Sequence, residues 1–218
     1  MVDELFVLSL QAGKKSRYFN KNLDSIREMR ILKPNLSAVN IDRENRLYPK
    51  LLVKRLGKDA PERLWVIGNP EILALPKTAL FCSTRCPGDA VLKAMDQAQK
   101  WRDKGCCIIS GFHSPIEKEC LHILLRGRQP VIICPARSIE NIRILGIWRP
   151  AVAEGRVLIL SMFPASEPRM TAKLSTQRNQ MVAALADEIY FIHITPGGRM
   201  SQLFEQVSKL GIPMFGGK

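Results

Sequence analysis

A chain of 218 residues, 46% of them hydrophobic, is long enough to bury one core of some size and too apolar to stay unfolded. Lys and Arg number 33 against 20 Asp and Glu, a net charge of +13, which points to a polyanionic partner, nucleic acid foremost, or to a solubilising surface. No apolar run approaches the ~18–20 residues of a membrane span, and the start Met1-Val2-Asp3-Glu4 is acidic where a signal peptide is basic, so a soluble cytoplasmic protein with no membrane partner is expected.

Residues 1–60 carry 13 Lys and Arg against 7 Asp and Glu, with little periodicity. Residues 1–46 read as a short N-terminal extension, helical or mixed, and residues 47–218 as the main domain. From Leu64 the pattern becomes regular. Leu64–Gly68 and Thr78–Cys82 are short apolar strands closed by turn residues. Asp89–Lys104 is a helix by the spacing of Val91, Leu92, Met95, Ala98 and Trp101, with Gly105 as its stop. Cys106–Ile109 is a strand. Ser114 caps a helix with Pro115 in its first turn, ending near Arg126. Val131–Cys134 is a strand, a helix is expected near Ile139–Ile144, and Arg156–Leu160 is a strand. Helix Gln177–Ala186, strand Glu188–Ile194, helix Ser201–Leu210 and strand Ile212–Phe215 complete the chain.

Short apolar strands alternating with amphipathic helices imply an α/β fold, a Rossmann-like, doubly wound and mostly parallel sheet covered on both faces. In such sheets ligands bind beyond the carboxyl ends of strands, near a switch in strand order. The six cysteines fit a reducing compartment. Cys106, Cys107 and Cys134 sit in apolar runs as small hydrophobes. Cys82 and Cys86 lack the second pair that a structural metal site needs. No catalytic residue, metal or cofactor is expected.

Four post-strand loops carry the chemistry. In the first, Ser83, Thr84 and Arg85 precede Gly88 and a helix start, an arrangement suited to an anion. In the second, Gly111 lets a phosphate approach the backbone and Ser110 and Ser114 supply donors; Ser114 serves equally as a plain helix cap. In the third, Lys173, Arg178 and Asn179 stand near a helix start, where a guanidinium fork suits a phosphate or a base edge. The fourth, Thr195–Ser201, joins Gly198 and Arg199 at a Gly-rich turn. Each loop is also consistent with an ordinary turn or a solvated helix end. The segment from Arg126 to Arg178 adds eight Arg and one Lys against three Glu. Trp148, beside Arg149, offers a ring for base stacking, though a core or interface place is the usual use of a Trp.

In order, these pieces resemble the DNA-processing protein A family, also called Smf. The resemblance runs through Tyr48–Leu52, Leu64–Pro70, Pro76–Phe81, Ser83–Arg85, Ile109–Gly111, Ile116-Glu117, Leu160–Pro164 and Gln177–Asp187. It implies a Rossmann-like domain that binds single-stranded DNA, dimerises, protects incoming DNA and helps load a RecA-type recombinase in natural transformation. The DNA contacts it implies fall on Ser83, Arg85, Ser110, Gly111, Lys173, Arg178 and Asn179, with Gly198 and Arg199 at the later turn. Cys82 stands at a family Gly, Phe112, His113 and Ser114 stand in a loop that is richer in Gly, and with the chain ending at Lys218 no winged-helix domain is expected. A wider likeness supplies an alternative. Pro196-Gly197-Gly198 with Ser201 and Glu205, preceded by Arg178 and Met181, is similar to the lysine-decarboxylase-like (LOG) nucleotide hydrolases. It implies a nucleotide-ligand sensor or a nucleoside-monophosphate phosphoribohydrolase using Arg178 and Glu205.

Overall fold

Eight strands of the computed structural model, which describes residues 35–217, form one sheet in the order β1-β2-β6-β5-β4-β3-β7-β8. They are β1 Asn35–Asp42, β2 Arg63–Gly68, β3 Lys77–Phe81, β4 Cys107–Ser110, β5 Val131–Ile133, β6 Val157–Ser161, β7 Glu188–Phe191 and β8 Met214–Gly216. Pairing from β6 through to β8 is parallel. β2 runs antiparallel to β6, and β1 antiparallel to β2. The helices are α1 Lys50–Leu56, α2 Gly88–Asp103, α3 Pro115–Leu125, α4 Arg149–Ala153, α5 Ala172–Leu185 and α6 Arg199–Ser208. The sheet is therefore α/β, mostly parallel and doubly wound, as expected.

The alternation along each strand explains the two cores. Ala79 and Phe81 of β3 point to one face and Leu80 to the other. The first face is packed by α1, α5 and α6 through Leu52, Met181, Val182, Leu203 and Val207. The second is packed by α2, α3 and α4 through Ala94, Ala98, Trp101, Leu124 and Val152. Right-handed crossovers produce this split. The chain moves outward from β3 through β4 and β5 to β6 with α2, α3 and α4 on one face. It then returns past β3 to β7 and β8, which puts α5 and α6 on the other. The strand order thus reverses between β3 and β7.

Three expectations are corrected. Residues 35–42, assigned above to the N-terminal extension, form β1 of the main sheet; the remainder of that extension up to residue 34 lies outside the described residues. The helix expected near Ile139–Ile144 is absent, and the helix of that crossover is Arg149–Ala153. Ile139 and Ile144 are both buried in the second core, yet five residues place them roughly 140° apart around a helix. An irregular path lets both reach inward. Helix α5 begins at Ala172 and not at Gln177, because Thr171 caps it, its Oγ1 accepting the Leu174 N–H at 3.2 Å.

The six cysteines are free thiols, and all except Cys86 are buried. Burial pushes Cys106, Cys107, Cys120 and Cys134 up to about 12. No helix among the described residues is long and apolar enough to cross a membrane.

Candidate functional site

The reversal of strand order opens a crevice where the loops after β3 and β7 leave in opposite directions. Ser83 stitches these loops together. Its N–H donates to the His193 carbonyl at 3.0 Å, and its Oγ accepts the Thr195 N–H at 2.9 Å. Above this seam lies a cavity of about 500 Å³. Ser83, Arg85, Ser114, Arg178, Asn179 and Arg199 all line it, as does Gly198. Seven of the ten sequence-predicted positions therefore converge, from three post-strand loops and from helix α5, where Arg178 and Asn179 lie in the second turn and not at the helix start expected above. Ser110 is buried beneath, its Oγ accepting the Phe112 N–H at 3.1 Å, and serves the turn. Gly111 borders a neighbouring cavity and backs Arg178. Lys173 is exposed in the first turn of α5 and lines neither cavity.

Arg178 is the centre of the arrangement. It is only 4% exposed. Its Nη1 donates to the Cys134 carbonyl at the end of β5 at 2.7 Å, and its Nε to Asn179 Oδ1 at 2.7 Å. Burial lowers its pKa and the nearby Glu117 carboxylate opposes that shift. The guanidinium occupies the space beside Gly111 that any side chain there would fill.

Glu117, expected from the sequence only as part of a helix start, organises two loops. Its Oε1 accepts the Cys82 N–H at 3.0 Å, and its Oε2 accepts the N–H groups of His113 at 2.8 Å and Ser114 at 3.1 Å. Ser114 Oγ accepts the Glu117 N–H in return, completing a capping box. The S-x-x-E spacing of Ser114 and Glu117 signals that cap in the sequence, whereas the reach to Cys82 is a tertiary fact. Burial raises the Glu117 pKa, against the pull of these N–H groups and of Arg178. Phe112 adopts φ +46°, the one left-handed non-glycine residue described. Its ring is buried in the second core, which holds the turn in place.

The electrostatics favour an anion. Arg85 and Arg199 are exposed at the rim, Arg178 forms the wall, and Glu117 is the one carboxylate among the lining residues. Its oxygens are already engaged by three N–H groups. The start of α6 carries Gly198 at its cap with no side-chain acceptor, and Gly198, Arg199 and Met200 all line the cavity, so an uncapped helix N-terminus borders it. Glu205 lies further along α6, exposed and outside the cavity, so the pairing of Arg178 with Glu205 that the alternative reading requires is not assembled. The basic segment Arg126–Arg178 does not form one track. Arg156 pairs with Glu154 at 2.6 Å, while Arg137, Arg143 and Arg169 line the neighbouring cavity.

A family model described as DNA recombination-mediator protein A matches residues 40–197. No curated protein matches the chain. Among solved structures, the DNA processing protein A of Helicobacter pylori, studied for its single-stranded DNA binding mode, superposes with a TM-score of 0.67 at 19% identity, over 82% of this chain and 79% of its own. The DNA processing protein A of Streptococcus pneumoniae gives a TM-score of 0.67 at 17% identity, over 82% of this chain and 62% of its own. At these identities the likeness is one of fold.

Proposed function

The chain belongs to the DNA recombination-mediator protein A family, and from that premise we propose that it is a DNA-processing protein which binds single-stranded DNA in the crevice between β3 and β7. The observation that carries this reading is the convergence of Ser83, Arg85 and Arg199 from two post-strand loops with Arg178 and Asn179 from α5 on one cavity. Arg85 and Arg199 meet backbone phosphates from the rim, and the uncapped start of α6 adds N–H donors. Ser83 and Glu117 hold the loops that present them. The net charge of +13 draws the polyanion in. The single-stranded DNA binding of the Helicobacter pylori protein, which shares the fold, supports the same ligand here.

The protein acts by binding and not by catalysis in this reading; the one carboxylate that lines the cavity, Glu117, is taken up in holding two loops. Protection of incoming DNA, action as a homodimer and hand-over of the strand to a RecA-type recombinase in the cytoplasm complete the proposal. The recombination-mediator description of the family supports the role in recombination. The test is a low-salt mobility shift with a long oligothymidylate. A retarded complex is expected, weakened by Arg85→Ala and by rising salt. Absence of a complex at low salt overturns the reading.

A further inference from the structure

On the far side of Arg178 lies a second cavity, of about 430 Å³, within the ~300–1,000 Å³ range of small-ligand pockets. Arg178 and His113 line both cavities, so one wall divides them. The second cavity sits beyond β5 and β6, away from the reversal of strand order. Its outer wall is the irregular segment between β5 and α4, a connection of unusual length for a crossover loop and of the kind that carries function. Ile139 and Ile144 anchor that segment in the core. The Ser138 N–H donates to the Glu167 carbonyl at 2.7 Å, and Ser161 Oγ to the Arg137 carbonyl at 2.8 Å. The wall is therefore tied down before any ligand arrives.

We propose that this second cavity binds a nucleoside monophosphate unit. Two features select that chemistry together. The first is apolar surface left in water. Leu145 is 51% exposed, Ile147 58% and Met170 45%, three of the eight large apolar side chains exposed among the described residues, and all three lie at this cavity or next to it in sequence. Trp148 joins them in the lining, a partly buried indole that adds a flat apolar wall for a base. The second is positive charge without a counterion. Arg137, Arg143 and Arg169 line the cavity, none of them forms an ion pair among the described residues, and no Asp or Glu lines it. A flat apolar group joined to a phosphate fits both. A purely apolar ligand leaves the guanidiniums unmatched, and inorganic phosphate leaves the apolar wall in water.

The unit has two possible sources. One is a nucleotide of the bound strand, turned past Arg178 out of the first cavity, and that source rests on the function proposed above. The other is a free mononucleotide, which does not. Photolabelling with peptide mapping separates them. The probes are 8-azidoadenosine monophosphate and an oligothymidylate carrying 5-iododeoxyuridine. Labelling by either probe within residues 142–149 or 168–170 is expected, falling about tenfold in the Leu145→Glu, Met170→Glu double variant. Both substitutions are at exposed positions, and the melting temperature checks the fold; Arg143→Glu serves if the double variant fails to fold. Label from the oligonucleotide identifies a strand subsite, and label from the azido nucleotide alone identifies a free-nucleotide site. Label elsewhere only, or label undiminished in a folded variant, overturns the proposal. A mobility shift on the same samples reads the first cavity separately. Strand binding without label here removes this inference alone, and azidonucleotide label without strand binding removes the function alone.

Discussion

The Arg178 guanidinium occupies the volume that a Cβ on Gly111 would fill. A glycine in the β4–α3 turn is thereby coupled to a cation on α5. Gly111→Ala is expected to displace Arg178, break its bond to the Cys134 carbonyl and strand a buried charge, costing about 1–3 kcal/mol. Single-strand binding falls with it. In an Arg178→Ala background the same substitution meets empty space, so the two losses in melting temperature do not add.

Arg85 and Arg199 are both exposed at the rim of the cavity. Replacing either with Ala is expected to change stability by no more than about 0.5 kcal/mol. Strand binding weakens alike for all sequences, and the slope of log affinity against log salt becomes shallower by about 0.7 for each phosphate that is no longer neutralised. Titrations at several salt concentrations measure it.

Glu117 touches no proposed phosphate, yet its loss should impair binding. Its two oxygens accept three N–H groups from the loops after β3 and β4. An amide in its place turns a donor toward donors. Glu117→Gln is expected to cost about 1–3 kcal/mol and to weaken strand binding in the folded protein. Chemical denaturation and a mobility shift on one preparation check both effects.

Lys77 is buried in β3, its Nζ 4.0 Å from Asp187. Burial lowers its pKa, and Asp187 opposes that shift only in part. In the folded state the lysine therefore holds its proton less firmly than in the unfolded chain. Over the interval between the lowered folded value and the ordinary one of 10.5, the unfolded state binds more protons, so this group makes stability rise with pH. Lys77→Met removes that contribution. The variant's advantage over the natural chain is expected to be largest at low pH and to shrink as pH rises toward the unfolded lysine range, as urea titrations across pH would show.

Cys86 is the half-exposed member of six otherwise buried thiols. Treatment of the native protein with a thiol reagent should modify one cysteine, mapped to the β3–α2 loop. The other five should react only in denaturant.

Much of this was legible in the sequence because the strands are buried on both faces. The apolar runs expected as strands at Val131–Cys134 and Arg156–Leu160 are strands Val131–Ile133 and Val157–Ser161, within one residue at each end. Ser114 with Pro115 and Glu117 announces the start of α3 to the residue. β1 was hidden because it is an edge strand. Leu36 and Val39 are exposed and Ile41 is buried, so no clean alternation marks it. The segment around Ile139–Ile144 looks helical in composition, but two distant core anchors override local preference. The site divides in the same way. The residues of the post-strand loops could be named from their positions. The partition of the arginines between two cavities, and the separation of Lys173 from both, depend on how α5 and the β5–α4 segment lie against the sheet.

Phe112 ties the shape of its turn to the interior. Its left-handed backbone is imposed from behind, by a ring packed into the core, and not permitted by the freedom of a glycine. The Ser110–Ser114 turn therefore cannot swing away without exposing an aromatic side chain to water. Opening this loop means opening the core behind it, so a strand arriving at the crevice meets a turn already in place, with little ordering left to be done.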